Sequence, residues 1–230
     1  MITITPDALS KSDLANSAYH YYVLQVSGIH TFSGAFERTI FCYSGNFSVE
    51  GLILSPNDSI EITNREMVLS GSGILLVAEG NSVDLSQKAK ITRDGAHYKV
   101  IKPWGYELWI NGEHPRICFK KIFISANTQT SLQYHNFKEE TNLIIEGEAI
   151  LVSKKSECTL ENDFVASEHL QNQTLVAPTA IHVLPKTLHR LIAVTNILLF
   201  EVSTPFLDDV IRIQDDTLRN NGRVESEHTK

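Results

Sequence analysis

The chain consists almost entirely of short runs of β-branched and aromatic residues broken by turn formers, and that rhythm confines it to an all-β architecture. The clearest runs are Phe36 to Tyr43, Val49 to Leu54, Gly73 to Ala78, Ile117 to Ile124, Asn142 to Val152, Ile181 to Leu184 and Ile197 to Val202. Helical periodicity is scarce. Thr5-Pro6-Asp7 offers an N-cap followed by a proline at the first helical position, which predicts a short peripheral helix over Thr5 to Leu14; a second is expected over Pro205 to Ile213.

At 230 residues with 42% hydrophobic content, the chain can bury one large core or two small ones. A net charge of −7 gives no general attraction to phosphate backbones, so the expected partner is a small molecule and not a nucleic acid. The cysteines Cys42, Cys118 and Cys158 are scattered without a C-x-x-C pair, which argues against a disulfide framework and a zinc-thiolate site. The N-terminus lacks a basic n-region and an apolar h-region, and no run reaches the roughly 18 apolar residues of a membrane span. The expectation is a cytoplasmic protein with no membrane partner.

An internal repeat points to two stacked copies of one β unit. Glu37 to Gly45 resembles Glu139 to Gly147 at an offset of 102 residues, and Ile74 to Glu79 resembles Ile197 to Val202 at 123. The second copy therefore carries 21 extra residues, which fit the polar segment Lys154 to Gln173 as an exposed excursion. Gln87 to Gly95 has linker character. The expected division is residues 1–90 and residues 91–230.

Gln133-Tyr134-His135, then Glu140 and Gly147, is the segment that carries chemistry. Gln133 and His135 are two apart, so in a strand they share a face, and Glu140 follows across the bend before Leu143-Ile144-Ile145. With His189 they make a nitrogen and oxygen donor set for a divalent ion, zinc first, with manganese, iron, nickel or cobalt as alternatives. Counted back by the repeat offsets, Gln133, His135, Glu140 and His189 fall on Thr31, Ser33, Arg38 and Glu66, so the first copy is expected to hold no metal. His30 beside Glu37 does not replace the missing ligands.

Lys102-Pro103-Trp104-Gly105-Tyr106-Glu107, Leu132-Gln133-x-His135 with Glu140 and Gly147, Pro185 to Leu191, and Glu201-Val202 leading to Asp208-Asp209-Val210-Ile211-Arg212 together resemble the cupin superfamily, and within it the type II phosphomannose isomerases. The resemblance covers the C-terminal half. It implies two cupin-type double-stranded β-helix (jelly-roll) barrels in tandem, the first degenerate, with Gln133, His135, Glu140 and His189 as metal ligands at the mouth of the second. It also implies a homodimer. The chain departs from the family at Asn136 and Phe137, where many relatives have histidines, at Asn127 in place of a glycine, and in a second motif one residue short between Pro185 and His189.

The reaction implied is aldose–ketose isomerisation of a phosphorylated hexose, mannose 6-phosphate with fructose 6-phosphate, through an enediol. Such chemistry needs a cation on the oxygens, a proton carrier and a phosphate anchor. Glu201, a carboxylate in the apolar strand Leu198 to Val202, is the expected acid/base. Arg190 and Lys121 are the expected phosphate groups. Trp104, Tyr106 and Trp109 read as core or pocket-shaping aromatics, Asp208, Asp209 and Arg212 as helix-end charges and an ion pair, and Glu146, Glu148 and His182 as turn or surface groups. Two other classes stand beside the isomerase: a non-catalytic sugar- or metabolite-binding cupin, and a metal-dependent cupin oxygenase.

Overall fold

The computed structural model describes residues 2–4, 18–33, 36–63, 65–81, 88–112, 114–155 and 170–228. The expected helix over Thr5 to Leu14, Cys158 and most of the Lys154 to Gln173 excursion lie outside them. The described strands, in chain order, are β1 (Ile2–Ile4), β2 (Tyr19–Phe32), β3 (Phe36–Val49), β4 (Leu52–Leu54), β5 (Ser59–Thr63), β6 (Met67–Asn81), β7 (Lys88–Thr92), β8 (Tyr98–Lys102) and β9 (Gly105–Trp109). They continue with β10 (Cys118–Ile124), β11 (Leu132–Tyr134), β12 (Glu140–Glu146), β13 (Glu148–Lys155), β14 (Gln171–Val176), β15 (Thr179–Val183), β16 (Thr187–Ala193), β17 (Ile197–Ser203) and β18 (Ile211–Gln214). Among the described residues the sole helical element is a short 3-10 turn, Glu225–Glu227. The fold is all-β, of the jelly-roll type.

The chain forms two compact units. One comprises Pro6–Tyr98 with Leu108–Lys120, the other Met1–Thr5, Lys99–Glu107 and Lys121–Lys230. In the first, a sheet of order β2-β6-β3-β5-β7 carries β4 on β3. Its core is Val26, Ile40, Phe47, Leu54, Ile60, Ile62, Leu69, Leu75 and Val77 among others. β2, β3 and β6 are 14, 14 and 15 residues long, well beyond the runs legible in the sequence, because each is completed by backbone pairing of polar stretches such as Ser44 to Asn46 with Ser72 to Ile74.

In the second unit β12 is flanked by β15 and β17, and β16 by β13 and β11, with β18 beyond β11. Alternation decides what points inward. Ile144, Ile181, Val183, Leu191, Ala193 and Leu199 share one buried cluster with Ile122, Ile124, Ala149 and Leu151. The same alternation turns Glu140 and Asn142 of β12, His189 of β16, and Glu201 and Ser203 of β17 toward that interior.

Three expected elements differ in form. Asn142 to Val152 is a hairpin, because Gly147 takes φ +96 and bends the chain between β12 and β13. Val49 to Leu54 also turns, at Glu50 (φ 51) and Gly51 (φ 81). Pro205 to Ile213 is not helical. Its backbone turns at Leu207 and Asp208, and Ile211–Gln214 pairs with β11, so cross-strand pairing and the bonds made by Asp209 override the local helical pattern.

A side chain at Gly147 would put its Cβ 2.1 Å from the Asn196 carbonyl oxygen, whereas one at Gly51 meets nothing within 4 Å. Gly147→Ala should therefore lose about 3 kcal/mol or more from clash and left-handed strain together, and Gly51→Ala about 1 kcal/mol from strain alone. Denaturant midpoints of the two variants check this ordering.

Candidate metal centre

His135, Glu140 and His189 converge inside the second unit, with their ligand atoms all within 4.8 Å of one another. Each reaches the interior for a local reason. Glu140 opens β12 opposite Ser203 of β17 and Val183 of β15. His189 occupies the inward register of β16, directly across from Gln133 of β11. His135 follows β11, where the chain turns through 136–139 before β12 begins.

That turn is held by one residue. Asp209 accepts the backbone N–H groups of Asn136 (3.0 Å), Phe137 (2.6 Å) and Lys138 (3.0 Å) on its carboxylate. Its own carbonyl accepts the Nδ1–H of His135. Burial alone would raise the Asp209 carboxyl, and the three N–H donors outweigh it and hold the group below its ordinary value. The sequence reading of Asp209 as a helix-end charge is thus replaced by a role in aiming His135.

Both imidazoles are fixed in the same sense. The Nδ1–H of His189 donates to the Thr187 carbonyl at 2.9 Å. With Nδ1 committed in each ring, Nε2 is the acceptor nitrogen and faces Glu140: His135 Nε2 lies 3.6 Å from Oε2, His189 Nε2 3.3 Å from Oε1. His135 Nε2 is buried with no hydrogen-bond partner. An orphaned lone pair beside a second imidazole nitrogen and a carboxylate is a donor set that a divalent cation satisfies, and backbone carbonyls behind the rings are the usual orienting groups. The residues fit a metal ion.

Charge at the centre is balanced by Lys138, which the sequence reading passed over. Its ammonium is buried between Glu140 Oε2 at 2.5 Å and Glu201 Oε1 at 3.0 Å. Burial would lower the lysine, but the two carboxylates outweigh it and raise its proton affinity. Glu140 is the converse: burial would raise it, and the Lys138 ammonium outweighs burial and holds it well below the usual carboxylate range. Asn142 adds a donor to Glu140 Oε1 at 3.2 Å. No sequence signal singles out Lys138, which lies in the irregular stretch between β11 and β12.

The other expected site residues divide. Glu201 is brought to the centre through Lys138. Gln133 shares the inward face with His189, and its Oε1 accepts the Ser131 hydroxyl at 2.6 Å. Arg190 is not brought in: alternation turns it away from His189, and it donates to the Gln214 carbonyl at 2.9 Å. Lys121 lies on the opposite face of β10 from the core residues Ile122 and Ile124. His182 bonds the Thr141 hydroxyl (2.8 Å) and approaches Glu139 (3.1 Å) on the outer side of β12 and β15. Trp104 packs into the core.

In the first unit Arg38, which the sequence offset aligns with Glu140, is buried beneath Phe32 and Phe36 and paired with Glu79 at 2.5 Å; Tyr22 donates to the same oxygen. Among the described residues the sole cluster of metal-binding side chains is His135, Glu140 and His189.

No protein-family model matches the sequence, and no curated protein is significantly similar to it. Solved structures share its fold. An IolB-like protein from Salmonella typhimurium aligns with a TM-score of 0.65 at 10% identity over 98% of this chain and 93% of its own. The oxalate decarboxylase–formate complex of Lactobacillus farciminis aligns at 0.63 and 10% identity over 92% and 82%. The Bacillus subtilis oxalate decarboxylase described for its Mn(II) centres aligns at 0.59 and 9% identity over 92% and 74%. The chain has the cupin fold, and its buried His/Glu/His cluster is a possible metal site. Among the described residues no helix is long and apolar enough to cross a membrane.

Two outcomes follow. Burial, then the Lys138 cation, lowers His135 from 6.5 to about 4. The folded ring resists a proton that the unfolded ring accepts, so chelator-treated protein should keep its stability above about pH 6.5 and lose up to about 3 kcal/mol as pH falls toward 4. Denaturation at pH 7 and pH 5 should show a smaller loss in His135→Asn. Asp209→Ala, which strands three N–H groups and releases His135, should cost about 2–4 kcal/mol by the same measurement, with Asp209→Asn intermediate.

Proposed function

We propose that the chain is a metal-dependent enzyme that moves a proton between adjacent carbons of a hydroxy-carbonyl compound, an aldose–ketose isomerase of the phosphomannose isomerase type acting on a hexose phosphate. The observation that carries the reading is the pairing of a cation-ready donor set with an independent buried carboxylate: His135, His189 and Glu140 on one side of Lys138, Glu201 on the other. Gln133, across from His189, is the proposed fourth ligand. The likeness of the C-terminal motifs to type II phosphomannose isomerases supplies the sugar.

A divalent ion held by these residues, zinc first or manganese as in the similarly folded decarboxylase, would supply electrophilic polarisation of the substrate oxygens. The protein's own groups do the rest. Glu201 takes and returns the proton, a contribution of about 10²–10⁴ in rate for a positioned general base. Lys138 balances its charge and fixes its carboxylate, and the apolar floor of Ile144, Leu191 and Leu199 excludes water beneath the reacting carbons. Arg190 and Lys121 face away from the donor set, so the proposal assigns them no contact with the reacting carbons.

A second reading, a metal-dependent oxygenase, is favoured by one observation: two histidines and one carboxylate are the donor set of non-haem iron oxygenases. A coupled mannose 6-phosphate isomerase assay, run beside oxygen uptake with Fe²⁺, separates the two. The isomerase reading expects sugar turnover that disappears with chelation and returns with Zn²⁺ or Mn²⁺, and a fall of about 100-fold or more in kcat for Glu201→Gln at saturating metal. Oxygen uptake without isomerisation would favour the oxygenase. Metal binding with neither activity would leave a sugar- or metabolite-binding cupin.

A further inference from the structure

Glu140 has two oxygens with different company. Oε2 receives the Lys138 ammonium at 2.5 Å and lies 3.6 Å from His135 Nε2, while Oε1 faces His189 Nε2 at 3.3 Å and receives Asn142 at 3.2 Å. A carboxylate can bind a cation through both oxygens or through one, and the choice decides how many coordination positions remain for a ligand. Lys138 cannot drift from Oε2, because it is buried and its second bond, to Glu201 Oε1, ties it to the neighbouring strand β17.

Resting on the metal-site reading above, we propose that Lys138 withholds Oε2 of Glu140 from the cation, so that Glu140 ligates through Oε1 alone and positions stay open for two oxygens of one chelating ligand, such as the vicinal hydroxyl and carbonyl of an open-chain sugar. The lysine is thus a positioning residue that trades metal affinity for ligand access. The charge count gives the same direction. Lys138 with Glu140 and Glu201 leaves a net charge of about −1 for the cation to meet, where the two carboxylates alone would give about −2.

The experiment is Mn²⁺ binding, followed by titration calorimetry for affinity and by water-proton relaxation for exchangeable waters on the ion. Lys138→Met should bind Mn²⁺ at least 10-fold more tightly than the parent chain and carry fewer exchangeable waters, because Oε2 is released to the ion. Lys138→Arg should stay close to the parent. The double variant Lys138→Met/Glu201→Gln restores the parent's net charge without the lysine; it covers the case in which Lys138→Met fails to fold, and it too should bind more tightly than the parent. Glu201→Gln alone should bind several-fold more weakly. If the parent binds Mn²⁺ but the double variant binds it equally or less tightly with an unchanged water count, the role assigned to Lys138 is wrong and the metal site stands. If the parent binds none, the metal-site reading falls and this inference with it.

Discussion

An ionised carboxylate inside a β-barrel must be met by positive charge, and in this chain the interior carboxylate of Glu140 organises everything around it. Lys138, His135, His189 and Asn142 all turn toward it. His135, Lys138 and Asn142 come from the stretch that follows β11 and opens β12, and His189 from β16, so the cluster forms where strand pairing lays β16 beside that stretch. Breaking a buried pair of this kind typically costs about 3–5 kcal/mol, which makes the cluster a structural commitment as well as a chemical one.

The first unit buries a charge of the opposite sign. Arg38, the residue that the sequence offset aligns with Glu140, is closed off by Glu79, Tyr22 and two phenylalanine rings. Arg38 supplies the cation that meets the Glu79 carboxylate there.

Much of the fold was legible because its central strands are short runs of β-branched and aliphatic residues bounded by turn formers. The strands around Ile144, Ile181 and Leu199 are buried along nearly their whole length and are plain in the sequence for that reason. β2 was not, since residues such as Ser27 to His30 are ordered by pairing with β6 rather than by burial. At the candidate site, the convergence of His135, Glu140 and His189 could be read from spacing and resemblance. Lys138 and Asp209 could not. Lys138 lies in an irregular loop where parity has no meaning, and Asp209 acts from a segment whose local pattern suggested helix. Arg190 and Lys121 failed to reach the centre for the opposite reason: strand parity held, and it faced them outward.

Nε2 of both histidines and Oε1 of Glu140 are proposed to share one cation. Anomalous scattering from crystals grown with MnCl₂ tests it directly. A single strong peak about 2.2 Å from those three atoms, with Lys138 still on Oε2, is the predicted result. No peak in the barrel, or histidine rings rotated so that Nδ1 faces Glu140, would contradict it.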